Sequence, residues 1–441
     1  MSDYMFMLES HLNSDQSRVV SEVQAAALQA NVNLFLTGGA MRDMLGRFPI
    51  VEIDFTAEGN AVKLAKTIAE KTGARLLRVD DTRKVARLLF PGNVPASIGM
   101  ARQEKYAKPG GKPQVQPATI HEDLRGRDFT INSIALSLSP ASRGLLLDPN
   151  NGVGDLEHKE LRAGSNYTLY DDPVRLLRLI RFRVRLAFTV SERTKSQYEN
   201  AREAALEQKI SPQSLLEELR HIANEQNVAD VVHALDEEKL MVLFEPELTG
   251  VKLNMAGLQK LQKVRQLAPS GGGFFFDAFG LFVYVLTEKL TAKEKASLVS
   301  ATGMEKEDVD EWQKLEARAK KLEKDLKPAK LSKPSAVYHL LSKAKGEEML
   351  FLLYKSSERT VQDRIKNYFQ KYLPTAQEIT ERDVVAAGGV PGTPKFLKLR
   401  DELISTRLDA RPKKVVPPPE PEQPLVDVPP PAPVSAFGRK L

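Results

Sequence analysis

Residues 34–56 read LFLTGGAMRDMLGRFPIVEIDFT, and the fold follows from how that string breaks into elements. Residues 32–36 make a short apolar strand, Gly38 and Gly39 a turn, and residues 40–45 a short helix stopped by Gly46. Residues 50–55 make a second strand. Side chains alternate across a strand, so Ile53 and Phe55 take one face and Glu52 and Asp54 share the other. Glycines that leave N–H groups bare at a helix N-terminus suit phosphate oxygens, and Arg42 lies one helical turn on, within reach of the same anion. Two carboxylates beside such a cradle are the donors that a pair of Mg²⁺ ions needs. Strand, glycine turn, helix and acidic strand in this order describe a seat for a triphosphate and its metal ions.

Outward from this centre, residues 13–30 carry a cap (Asn13, Ser14, Asp15) and apolar residues at helical spacing, Val19, Val20, Val23, Ala27 and Ala30. A helix with Ala61, Leu64, Ala65 and Ile68 on its buried side follows the acidic strand. Residues 75–79, 85–90 and 96–101 read as further strands, so the N-terminal third is a small mixed sheet flanked by helices. Residues 105–117 (KYAKPGGKPQVQP) read as a basic loop, either a mobile cover over a phosphate site or an ordinary solvated connection. Residues 127–138 return to an apolar element, and Asp148-Pro149-Asn150-Asn151-Gly152 is a turn and a domain hinge. From Asp171 onward helices dominate and strand patterns stop, with glycines 271–273 breaking two of the helices apart. Beyond Pro412 the chain is proline-rich, which predicts an extended, unpacked tail.

The 441 residues exceed one hydrophobic core, so several domains are expected. A hydrophobic content of 42% against 28% charged is that of a globular chain. The net charge of +6 is too small to demand a polyanionic partner by itself, so local clusters must carry that inference. Cysteine is absent, which excludes disulfides, thiolate zinc sites and cysteine nucleophiles, and fits a reducing, cytoplasmic setting. The first residues, MSDYMFMLES, lack the basic start and apolar core of a signal peptide, and the longest apolar run falls short of the roughly 20 residues of a membrane span. The six histidines are scattered, without an adjacent His-Asp pair or metal-ligand spacing, so no HD phosphohydrolase domain is expected.

Two further stretches carry chemistry. Arg127-Asp128-Phe129-Thr130-Ile131-Asn132 alternates apolar and polar residues, which reads either as plain strand patterning or as a basic residue entering the cleft of the N-terminal domain. In DDPVRLLRLIRFRVRLAF, residues 171–188, Arg175, Arg178, Arg181 and Arg185 recur at three- and four-residue spacing on one helix face, while Leu177, Ile180 and Val184 serve a buried one. An arginine stripe is usually solvated surface, but four arginines with so few acids beside them would repel one another, so an anionic partner stands as the second reading.

Taken in order, GGAMRD, VEID, GRDFTIN and DDPVRLLRLIRF resemble the motifs GGxVRD, DxD, RRDFTxN and EDPxRxLRxxRF of the class II tRNA nucleotidyltransferase and bacterial poly(A) polymerase family. A later stretch, ITERDVVAAGGVPGTPKF, looks like that family's tail signature. The resemblance implies an α/β nucleotidyltransferase head (residues 1–147) followed by all-α domains: a neck (148–226), a body (227–330) and an RNA-binding tail (331–411), then the proline-rich end (412–441). It implies that Gly38, Gly39 and Arg42 meet the incoming nucleotide, that Glu52 and Asp54 hold two Mg²⁺ ions and are catalytic, and that Arg127 grips phosphate. Asp172, Arg175, Arg178 and Arg181 would form the nucleotide-recognition face. A carboxylate accepts from the amino group of C or A and an arginine donates to a ring nitrogen, whereas U and G present a carbonyl to the acid. The implied activity is template-independent transfer of CMP and AMP from CTP and ATP to the 3′ end of tRNA, with poly(A) addition to other RNA 3′ ends as the rival chemistry. The chain departs from the pattern at Glu52, where the family has an Asp, at Gly126, where it has Arg, and at Gln213, Ser214 and Leu215, where it has an ERI-like sequence. Glu52 keeps a third reading open, a catalytically weakened relative that binds RNA or nucleotides.

Overall fold

In the computed structural model, which describes residues 3–269 and 274–410, the stretch around Gly38 and Asp54 forms the centre of a seven-stranded sheet. Helices α1 (Asp3–His11) and α2 (Ser14–Gln29) lead into β1 (Asn33–Thr37), α3 (Gly38–Leu45), β2 (Ile53–Glu58) and α4 (Ala61–Thr72). Strands β3 (Arg75–Asp80), β4 (Val85–Phe90) and β5 (Val94–Met100) follow, then β6 (Arg102–Lys105), β7 (Gln114–Pro117), α5 (Ile120–Arg125), β8 (Ala135–Ser137) and β9 (Leu146–Leu147). The spatial order is β3-β4-β5-β2-β1-β8-β9; β2 and β5 run parallel and the other neighbours antiparallel. Asn13 caps α2 by accepting from the Gln16 N–H at 2.9 Å, and Gln16 returns the bond to Asn13, a reciprocal cap. One sheet face is apolar: Ile53, Phe55, Ala86, Leu88, Ala96 and Ile98 are buried in one core with Val19 and Val23 of α2 and Leu64, Ala65 and Ile68 of α4.

The C-terminal half is helical. After α6 (Gly152–Glu157), β10 (Glu160–Leu161) and α7 (Thr168–Asp171) comes α8 (Val174–Leu186), then β11 (Thr189–Val190), α9 (Glu192–Glu203), α10 (Pro212–Asn224) and α11 (Val228–Glu237). Further helices continue to Pro394–Asp409. Helix α8 is the seam between two cores: Leu176, Leu179, Phe182 and Leu186 join the head core, while Val174, Leu177 and Ile180 join the helical one. Its arginines occupy the remaining face. The observed class is therefore an α/β head followed by largely helical structure, as expected. Among the described residues no helix is long and apolar enough to cross a membrane.

Four details differ from the expectation. Helix α3 begins at Gly38 rather than at residue 40. Glu52 lies in a bend just before β2, not inside the strand; the parallel register would set it opposite Pro95, which has no N–H for the ladder, and on the other side β1 has already turned into α3. Residues 105–117 are not wholly a loop, because β6 and β7 pair as an antiparallel ribbon from Arg102↔Pro117 to Lys105↔Gln114. With Val115 as its one apolar residue, β7 has no hydrophobic pattern to read; ladder bonds alone make it. A short strand also occurs after Asp171, where β11 pairs in parallel with β10. The expected glycine break at 271–273 and the proline-rich end beyond residue 411 lie outside the described residues.

Candidate active site

Strand β1 ends at Thr37, whose hydroxyl lies 2.8 Å from that of Thr56 on β2. Arg127 braces this pair: its Nη2 donates to Thr56 at 2.9 Å and to Thr37 at 3.4 Å, while Asp123 Oδ2 accepts from Nε and Nη2 at 2.9 and 2.7 Å. The turn above must be glycine. Gly38 has φ +58, and a Cβ there would sit 3.2 Å from Arg127 Nη1; a Cβ on Gly39 would sit 2.9 Å from Asp54 Oδ2. The bare backbone of α3 therefore faces Asp54 directly.

Asp54 Oδ1 accepts from the Ser97 hydroxyl at 2.7 Å, which leaves Oδ2 towards the glycines. Burial drives both acids towards the protonated form. Glu52 is pushed up to about 7 by burial and by the Asp54 charge, against the pull of Arg87. Asp54 is raised by burial, opposed by the Ser97 hydrogen bond and by Arg42, Arg87 and Arg127. Two adjacent carboxyls that resist ionisation together are satisfied by a cation. Mg²⁺ takes one or two carboxylates and completes its shell with water and phosphate oxygens, so Glu52 and Asp54 beside an open glycine cradle fit it. Among the described residues no group of three or more His, Cys, Asp or Glu side chains forms a metal site, so these two acids would share the task with the substrate.

Arg42 points inward. It is 3% exposed, donates to Asp43 Oδ1 through Nε at 2.9 Å and to Asn132 Oδ1 through Nη1 at 2.9 Å, and lies 5.0 Å over the Phe182 ring. From there a closed ring of charges links α3 and the segment around Asp128 to α8 and the end of α10. Asp43 Oδ2 takes Arg185 at 2.8 Å, Arg185 lies 3.7 Å from Glu225, and Glu225 takes Arg181 at 2.8 Å. Arg181 donates to Glu218 at 2.6 Å, Glu218 lies 3.5 Å from Arg178, and Arg178 donates to Asp128 at 2.8 Å. Asn132 closes the ring by donating to Asp128 at 3.0 Å. Four arginines meet four acids around Phe182, which stacks edge-on against Phe129 at 5.8 Å. The arginine stripe is thus matched by acids from α3, α10 and the segment around Asp128, a correction to the expectation that it lacks them. Asp128 shows the balance: burial would raise it, but Arg178 and Arg175 hold it well below the usual carboxylate range.

Asp172 and Arg175 stand apart from the ring, both buried at the start of α8. Asp172 Oδ2 accepts from Tyr106 at 3.4 Å and lies 3.5 Å from Arg83 and 3.9 Å from Arg175 Nε. Arg175 Nη1 donates to the Thr168 carbonyl at 3.2 Å, but its Nε is buried without a hydrogen-bond acceptor. Glu104, on the β6–β7 ribbon, anchors this cluster: burial would raise it, yet Arg102 and Arg83 bring it down to about 2.

The structure thus groups Gly38, Gly39, Glu52, Asp54 and Arg127 at one end of β1 and β2, and places Asp172 and Arg175 at the mouth of α8. Arg42, Arg178 and Arg181 lie in the ring. Sequence reading missed Asp123, Ser97, Arg83, Glu104, Tyr106, Glu218 and Glu225. Asp123 stands four residues before Arg127 in helical spacing, and Glu218 and Glu225 are seven apart, so those signals were present. Ser97 and Glu104 left none.

Residues 34–162 match the poly(A) polymerase head domain family. The chain is 28% identical over 341 residues to an A-adding tRNA nucleotidyltransferase of Aquifex aeolicus, covering 76% of this chain and 40% of that protein. It is 33% identical over 228 residues to the A-adding tRNA nucleotidyltransferase of Halalkalibacterium halodurans, covering 51% and 53%. The chain thus spans about half the length of the curated relatives it matches. A solved structure of a CCA-adding enzyme in an apo form superimposes with a TM-score of 0.52 at 23% identity, covering 94% of this chain and 96% of that one, which shows a shared fold.

Proposed function

We propose that the chain, whose residues 34–162 match the poly(A) polymerase head domain family, is a nucleotidyltransferase of the class II tRNA nucleotidyltransferase and CCA-adding enzyme family and transfers nucleotides from ATP, and from CTP, to the 3′ end of tRNA. The observation that carries this reading is the Glu52–Asp54 pair set against the Gly38–Gly39 turn, with Asp54 Oδ2 and the bare glycine backbone facing each other. The names of the A-adding relatives favour AMP as the nucleotide transferred last.

In this reading the head (1–147) performs the chemistry, the neck (148–226) selects the base, and the body (227–330) and tail (331–411) hold RNA. The α3 N–H groups at Gly38 and Gly39 seat the triphosphate, and Arg127 stiffens the floor beneath them. Mg²⁺ held by Glu52 and Asp54 would supply charge neutralisation at the phosphates and a more acidic 3′-hydroxyl. The RNA 3′-oxygen forms a bond to the α-phosphorus while the α–β anhydride bond breaks; the hydroxyl proton passes to solvent and pyrophosphate leaves with the electron pair. Positioning suffices and no covalent enzyme intermediate is required. At the mouth of α8, Asp172 accepts from the amino group of A or C and the orphan Arg175 Nε donates to a ring nitrogen.

The test is incubation of the purified protein with tRNA ending in CC, or lacking CCA altogether, with Mg²⁺ and each labelled NTP. A single A on the CC-ended tRNA supports the proposal, and C then A on the truncated tRNA extends it to CTP. Long A tracts would replace it with a poly(A) polymerase. No incorporation at high protein concentration, with tRNA still bound, would leave only the binding relative that Glu52 motivates.

A further inference from the structure

One row of side chains crosses the polar face of the head sheet. Arg78 on β3 pairs in register with Arg87 on β4, Arg87 with Ser97 on β5, and Ser97 with Asp54 on β2. Residues opposite each other across strands project on the same face, so the row ends at the catalytic carboxylate. With strands about 4.8 Å apart, Arg87 begins about 10 Å from Asp54, and its long side chain can close most of that gap. Helix α10 lies over the other end of the row. Glu217 forms an ion pair with Arg78, and one turn later His221 Nε2 lies 3.5 Å from Arg87 Nη2.

The two arginines are treated differently. Arg78 meets a carboxylate, whereas Arg87 meets an imidazole and, among the described residues, no carboxylate within ion-pair distance. A guanidinium only donates, so His221 Nε2 must be the acceptor and the ring neutral. Burial and the surrounding Arg181, Arg87, Arg178 and Arg185 hold His221 well below its ordinary value, in agreement. Arg87 is therefore aimed but not neutralised. Its natural counter-charges, Glu52 and Asp54, are taken once cations occupy them, and a second anion must then serve.

The direction of the row says which anion. In-line displacement puts the attacking oxygen and the leaving pyrophosphate on opposite sides of the α-phosphorus. The Gly38–Gly39 seat lies on the β1 side of Asp54, and Arg87 on the β5–β4 side. We propose that Arg87 binds the last phosphodiester of the RNA strand and so presents the attacking 3′-hydroxyl, with His221 as the positioning residue that aims it. This rests on the nucleotidyltransferase reading above.

The test compares wild type, Arg87→Ala, Arg87→Lys and His221→Leu. The ligands are tRNA ending in CC, the same tRNA with a neutral methylphosphonate as its last linkage, and ATP. Expected for Arg87→Ala is a roughly 10-fold weaker affinity for the normal tRNA, no further loss with the methylphosphonate, and unchanged ATP affinity. The log K against log salt slope should fall by roughly 0.7, the value of one single-strand phosphate contact. Arg87→Lys should restore the slope, and His221→Leu should raise the KM for tRNA while leaving that slope in place. Equal methylphosphonate losses in wild type and Arg87→Ala would overturn the inference, as would weakened ATP binding with intact tRNA binding. Wild type that neither binds nor extends tRNA would instead overturn the nucleotidyltransferase reading itself.

Discussion

Replacing Glu218 by Gln tests whether the arginine stripe of α8 is held by the protein itself. Glu218 is fully buried and takes Arg181 Nε at 2.6 Å, with Arg178 Nε at 3.5 Å. At an effective dielectric near 20, two unit charges about 4 Å apart interact by about 4 kcal/mol. Arg181 keeps Glu225 at 2.8 Å and the amide oxygen still accepts one bond, so the loss falls at the low end of the range for breaking a buried pair, about 3 kcal/mol. Arg178 adds little, because it is partly exposed and keeps Asp128. Glu217 is the control on the same helix: its pair with Arg78 is 30–39% exposed at the side chains, which limits Glu217→Gln to under about 1 kcal/mol. For a cooperative unit of roughly 200 residues the two variants should melt about 6–12 °C and less than about 4 °C below wild type, read by circular dichroism. Salt should narrow only the Glu217 effect, since screening reaches the exposed pair. Equal shifts for the two variants would refute the internal-pairing account and leave the stripe as a solvated or substrate-facing surface.

The remaining outcomes concern the site. Asp54→Asn should abolish incorporation with the melting curve preserved; retained turnover would remove Asp54 from the chemistry. Glu52→Asp is the informative partner, because faster incorporation marks Glu52 as a poorly placed ligand and slower incorporation as an adapted one, measured by single-turnover extension of tRNA. Glu52 also predicts a pH effect. Its folded-state value of about 7 lies above its ordinary 4.5, so the folded chain binds more protons in between, and metal-free stability should fall as pH rises across that window. Mg²⁺ replaces those protons, so it should raise the melting temperature at about pH 8 and hardly at about pH 5.5; a pH-independent Mg²⁺ effect would count against metal at this pair. Arg175→Ala should weaken discrimination of A and C against G and U by roughly 5- to 150-fold in four-nucleotide competition, and unchanged selectivity would place base recognition elsewhere.

Much of this was legible in the residues. The strand–glycine–helix–strand order of residues 34–56 rests on local rules, namely alternation, glycine φ and helix periodicity, and these act over a few residues. The helical character of the second half and the buried stripe Leu177–Ile180 of α8 follow in the same way. The details that differed are those where local pattern is silent. Pro95, some forty residues away, stops the ladder before Glu52, and β7 forms from backbone bonds without an apolar signature.

By itself, then, the sequence determined the class of the head and the helices behind it, and it named the residues proposed as the site: two acids, two glycines, Arg127, Asp172 and Arg175. Only the tertiary structure decided which charges are free to meet a substrate. Charge pairing in a fold depends on distances between segments far apart in the chain, and a row of arginines reads the same whether or not acids wait across the interface. Glu218, Glu225, Asp43 and Asp128 silence Arg181, Arg185, Arg42 and Arg178. Arg87, inconspicuous in its strand, meets a neutral His221 where its neighbour Arg78 meets a carboxylate.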